Sequence, residues 1–133
     1  MNKYAPIEHE SLTEAPYVLL SLAESNGSLT LMLEGARGTG VSVCFDGHVF
    51  YSKMDEGDAL HTVHELKQSS CIGATLIEAF DSELLHWFSR ESFGVRSGNV
   101  LTHYVLLTLD DVVNVISLDP PKISLGWSAK NDV

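Results

Sequence analysis

Positive charge is what this chain has least of. Eight Lys and Arg stand against eighteen Asp and Glu in 133 residues, a formal charge of −10 at pH 7. A surface that negative repels phosphates and anionic lipid headgroups, so neither nucleic acid nor a membrane surface is expected as a direct partner without a concentrated basic patch. Lys3, Arg37, Lys53, Lys67, Arg90, Arg96, Lys122 and Lys130 are scattered and form no such patch. Long hydrophobic runs are missing too: no stretch reaches the roughly 20 residues of a membrane-spanning helix. The start, MNKYAPIEHESLTEAP, carries acidic residues and Pro6 where a secretory signal needs an apolar run, so a cytoplasmic address in a bacterium is expected. Cysteine is scarce. Cys44 and Cys71 fit no CxxC pair or zinc spacing, which favours two buried thiols over a disulfide.

What is present is enough apolar material for a core. The 44% hydrophobic content excludes wholesale disorder, and the length suits one domain over 1–133, with 1–15 and 128–133 expected to be loosely ordered. Short apolar runs punctuated by Gly and Asp predict an α+β fold, a mostly antiparallel sheet of four to six strands with two helices packed on it. Tyr17–Ala23 is continuous rather than alternating and reads as a strand or short helix. Asn26-Gly27 marks a tight turn before Ser28–Glu34, whose Leu29, Leu31 and Leu33 share one face; Val41–Phe45 is its hairpin partner. Asp46-Gly47 is a second hairpin signal, into Val49–Lys53.

From Met54 the pattern becomes helical. Leu60, Val63 and Leu66 predict a helix over 58–67, with Asp58 as N-cap and Asp55, Glu56 and Asp58 where the helix dipole favours negative charge. Gly73–Phe80 reads as a strand, and Asp81 and Ser82 can cap a second helix that runs to about Ser92, before Gly94. The runs Thr102–Leu109 and Val112–Ser117 predict a last hairpin, stopped by Pro120-Pro121.

No chemical motif is complete. Gly35-Ala36-Arg37-Gly38-Thr39-Gly40 has the glycines of a phosphate loop, but Val41 and Ser42 stand where Lys and Ser or Thr are needed, and it joins two strands instead of opening a helix. His61, His64 and Glu65 lie three and four apart on one helical face and could ligate zinc with Asp58, yet HTVHE is not HExxH, and a solvated helix face explains them more simply. His86 and His103 are the other candidate proton carriers, although partial burial explains His86 as well, and Cys71 follows two serines, but nothing local makes a nucleophile of it. No catalytic residue, metal ligand or cofactor is therefore expected. Trp87 and Phe88 are adjacent on a helix and cannot both point fully inward; Trp87 is expected in the core, whereas Trp127, in the polar tail, is a candidate binding anchor.

With these residues laid out, SELLHWFSRESFGVRSGNVLTHYVLLTLDDVVNVISLDPP, Ser82 to Pro121, resembles the helix and terminal hairpin of small acidic bacterial immunity proteins encoded beside toxins. The resemblance covers roughly a third of the chain, rests on size, acidity and layout, and carries no functional residues across. It implies a non-enzymatic binding protein that occludes a basic partner such as a nuclease toxin. The carboxylates expected on the binding face are Asp55, Glu56, Asp58, Glu65, Glu78, Asp81 and Glu83, with Trp127 beside them. A small enzyme using His61 and His64, or an assembly protein pairing through a sheet edge, are the alternatives.

Overall fold

The computed structural model describes residues 3–126. Among them the order is β1 (Tyr4–Pro6), β2 (Val18–Ser25), β3 (Ser28–Glu34), β4 (Gly40–Phe45), β5 (His48–Asp55), α1 (Leu60–Gln68), β6 (Leu76–Ala79), α2 (Glu83–Glu91), β7 (Thr102–Leu107), β8 (Asp111–Ser117) and β9 (Lys122–Leu125). All pairings are antiparallel, in two sheets ordered β1-β6-β7-β8-β5 and β2-β3-β4-β9. The α+β, mainly antiparallel class is as the sequence indicates, with the strands divided between a five-stranded and a four-stranded sheet.

Alternation in β3 and β4 builds the first core. Leu29, Leu31 and Leu33 lie opposite Phe45, Val43 and Val41, and all six are fully buried. They face Leu76, Tyr104, Leu106, Val113 and Val115 of the larger sheet, so the two sheets close on each other. At about 25 cal/mol per Å² of apolar surface, each such Leu or Val contributes roughly 1.5–3 kcal/mol relative to exposure. The reverse side of the larger sheet carries a second core, in which Ile77, Ala79, Val105, Leu107 and Val112 meet Leu66 of α1 and Cys71. Strands β6, β7 and β8 are thus covered on both faces. That is why YVLL and VVNVIS read as continuous apolar runs.

Several expectations change with this layering. Asp46-Gly47 does not make a hairpin: β4 pairs with β9 on that edge, and β5 pairs with β8 in the other sheet. A Cβ on Gly47 would lie 2.7 Å from Asp119 Oδ2 and 3.1 Å from Asp119 N, so the glycine is required by close chain approach at this corner. The segment 1–15, expected to be loose, contains β1, which pairs with β6 and buries Tyr4. The tail contributes β9, reached after Pro120-Pro121 as the chain crosses between sheets. Asn26 (φ 54°) and Gly27 (φ 81°) form the expected tight turn.

Both helices start slightly later than their patterns suggest. Asp58 does not cap α1, because Ala59 holds the N-cap position without a side-chain bond. Asp55 shapes the entry instead: its Oδ1 accepts from Gly57 N at 2.7 Å, and its carbonyl accepts from Asp58 N and Ala59 N. Leu60, expected on the apolar face, is 69% exposed, while Val63 and Leu66 pack inward. Ser82 caps α2 through Leu85 N at 3.1 Å. The helix rests on the sheet through Phe50, whose ring lies 5.2 Å from Trp87 and 6.5 Å from Phe88. Trp87 is therefore half-packed, with 37% of its surface exposed.

Candidate functional site

Leaving β6, the chain turns through Phe80 and Asp81, the latter in left-handed backbone at φ 46°, and delivers Ser82 to the start of α2. The neighbouring strand β7 presents His103 to the same place, opposite Ala79 in register. Ser82 Oγ lies 2.7 Å from His103 Nδ1, and His103 Nε2 lies 2.8 Å from Asn114 Oδ1 on β8. An amide oxygen only accepts, so Nε2 carries the ring hydrogen and Nδ1 receives the Ser82 hydroxyl hydrogen. Burial pushes the His103 pKa below its ordinary value of 6.5, with the Asn114 bond opposing in part. A neutral imidazole with both nitrogens satisfied is the outcome.

Across from this array stands Glu65 on α1. Tyr4 OH donates to its Oε1 at 3.0 Å, His61 Nε2 lies 3.5 Å from the same oxygen, and Lys3 Nζ lies 3.6 Å from Oε2. Burial first, and then the Glu65 carboxylate, push the Tyr4 hydroxyl well above the phenol range. The walls enclose a cavity of about 230 Å³ between α1, α2 and the sheet, lined by Tyr4, His61, Glu65, Ser82, Glu83, His103 and Asn114, with Phe80 and Leu84 as apolar walls.

Of the carboxylates expected on one face, Glu65 and Glu83 meet in this cavity. Asp58 and Asp81 are exposed in the turns preceding α1 and α2 respectively, and Asp81 pairs with His86 Nε2 at 2.7 Å. Asp55 is taken up by the turn into α1. Glu56 lines a separate cavity with Pro16, Ile72 and Leu109. Glu78 is set apart: Ile77 and Ala79 face the helix side of β6, which puts Glu78 on the opposite side, with Leu76. A single seven-carboxylate face is therefore not what the fold builds. Trp127 lies outside the described residues.

The other motifs also find places. In the Gly35–Gly40 loop a carboxylate occupies the concavity: Glu14 Oε1 accepts from Arg37 N at 3.0 Å and Thr39 N at 3.4 Å, and the Thr39 side chain first, then these backbone bonds, hold the Glu14 pKa below its usual value. His61 is engaged with Glu65, and among the described residues no three His, Cys, Asp or Glu are grouped to hold a metal. Cys44 and Cys71 are free thiols, Cys71 fully buried. Sequence reading missed Ser82 and Asn114 as partners of His103. The available signal was Asn114 itself, one amide within the apolar run VVNVIS, since a polar group there must find a hydrogen bond.

Outside the cavity, the loop from α2 to β7 leaves Phe93, Val95 and Val100 at 95%, 81% and 84% exposure. No helix among the described residues is long and apolar enough to cross a membrane. Comparison with protein-family models, with curated proteins and with solved structures returned no match.

Proposed function

We propose that this chain is a binding protein of the immunity type, which neutralises a basic toxin, such as a nuclease, by occluding its working surface in the bacterial cytoplasm. The observation that carries the proposal is the mixed outer surface of the helix layer. Asp58, Asp81 and Glu83 are exposed there, and α1, α2 and the following loop also present Leu60, Trp87, Phe93, Val95 and Val100 to solvent. Apolar anchors supply binding energy when a partner covers them, and surrounding charge selects and steers that partner. The net charge of −10 makes a basic partner the complementary one. Neutralisation of this kind is stoichiometric and needs no turnover.

Affinity for the products of the neighbouring genes, a basic toxin among them being what the proposal requires, tests it. The pair Asp58→Lys with Glu83→Lys changes charge by the same amount as Glu8→Lys with Glu10→Lys, which lie exposed between β1 and β2. The first pair is expected to weaken binding at least tenfold and the second less than threefold. Equal losses from both pairs, or no binding by the unaltered protein, contradict it.

A further inference from the structure

We infer that Ser82 is a nucleophile, with His103 as its base and Asn114 as the group that orients the base, and that the cavity accepts short-chain neutral esters. This goes beyond partner binding and does not rest on it. The geometry has the three parts such a site needs: Ser82 Oγ at 2.7 Å from His103 Nδ1, His103 Nε2 at 2.8 Å from Asn114 Oδ1, and open space of about 230 Å³ against all three. The imidazole is used in the reverse sense from the common serine hydrolase arrangement, with Nδ1 toward the serine and Nε2 toward the orienting group. Its proton transfer is equivalent. His103 is 4% exposed and fixed at both nitrogens, so it is a pre-positioned base, and its lowered pKa keeps it neutral near pH 7.

Ser82 itself is held by a strand, a left-handed Asp81 and a helix start. Leu85 N–H already donates to its Oγ at 3.1 Å, and the dipole of α2 adds positive field at the same atom; both favour negative charge on that oxygen. The substrate class follows from the walls. The cavity is smaller than the roughly 300–1,000 Å³ of sites for drug-sized ligands, which limits the acyl group to a few carbons. Phe80 and Leu84 offer apolar contact; Glu65 is offset by Lys3 at 3.6 Å in the same wall, which leaves Glu83 as the carboxylate that disfavours an anionic substrate.

The steps balance with water as the only co-reactant. Ser82 Oγ bonds to the ester carbonyl carbon while its proton passes to His103 Nδ1. The tetrahedral intermediate collapses, the carbon–oxygen bond to the alcohol breaks, and the alcohol leaves with the proton from Nδ1. Water then gives a proton to Nδ1 and attacks the acyl-serine; release of the carboxylic acid returns a proton to Ser82 Oγ.

Diisopropyl fluorophosphate is the direct probe, since attack by Ser82 forms an oxygen–phosphorus bond and expels fluoride. Intact-mass analysis is expected to show one adduct, mapped to Ser82, and hydrolysis of p-nitrophenyl acetate at least tenfold above an equal concentration of the denatured chain. Ser82→Asn keeps a good helix cap but has no hydroxyl, and should abolish both signals with the circular dichroism spectrum unchanged. Asn114→Ala leaves Ser82 and its cap in place and should slow labelling at least tenfold. No adduct at millimolar probe, an adduct on another residue, or Asn114→Ala labelling at the unaltered rate would each overturn the inference.

Discussion

His103 sits where two demands meet: a position between β6 and β8 that leaves it only 4% exposed, and an ionisable side chain whose charged form that burial disfavours. Its folded pKa is lowered, so below about pH 6.5 the unfolded chain binds a proton that the folded chain resists. Stability is therefore full above pH 6.5, declines as pH falls through the window below it, and levels off once the folded form also protonates. His103→Gln is expected to cost about 1–3 kcal/mol at pH 7.5 by disturbing a buried hydrogen-bonded pair, and to show a shallower decline between pH 7 and 5. Lys3, His61, Glu65 and Glu83 surround the cavity in both proteins, so the difference isolates His103. Carboxylates act in a lower window: Asp46 is held at about 2 by Ser28, Lys122 and Cys44, and its contribution fades only as pH falls below its ordinary 3.8. Thermal unfolding at half-unit pH steps checks this, and parallel declines in the two proteins would contradict it.

At the scale of elements, the sequence was most legible where one side chain decides one feature. The period of two in Ser28–Glu34 placed β3 to the residue, and Ser82 capped α2 as its type predicts. Less legible were features set by the partner segment. Asp46-Gly47 has hairpin chemistry, but Asp119 packs against Gly47 and β5 finds β8, information that lies some seventy residues downstream. Gly47→Ala is accordingly expected to cost about 1–3 kcal/mol through overpacking, while Gly73→Ala, with nothing within 4 Å of its Cβ, stays within about 0.5 kcal/mol. The start of α1 gives a similar contrast. Asp55→Ala removes the bond to Gly57 N and should cost about 1 kcal/mol, whereas Asp58→Ala should be near neutral, the reverse of what the N-cap expectation implies. Urea unfolding of the four variants gives the order directly. The candidate cavity escaped sequence reading for the same reason, since Ser82, His103 and Asn114 come from three separate elements that only sheet pairing brings together.

For the whole molecule, composition fixed the sign of the charge but not its layout. Glu14 is bound to the Gly35–Gly40 loop and Asp55 to a turn, so part of the acidic excess is structural. On the helix layer the exposed carboxylates include Asp58, Glu83 and Asp81, the last paired with His86. Truncation at the sandwich centre should uncouple folding from that surface: Leu31→Ala is expected to lose about 2–5 kcal/mol, while partner affinity per folded molecule stays unchanged. The most direct test of an acidic recognition surface is the association rate with the adjacent gene's product, measured by stopped flow from about 20 mM to 500 mM salt. Opposite charges steer encounter only within a screening length of about 10 Å at 0.1 M, so the rate should fall at least tenfold across that range while the dissociation rate changes little. Asp58→Lys with Glu83→Lys should flatten the dependence, and Glu8→Lys with Glu10→Lys should leave it nearly intact. An association rate that does not respond to salt, or responds equally in both pairs, would contradict the account.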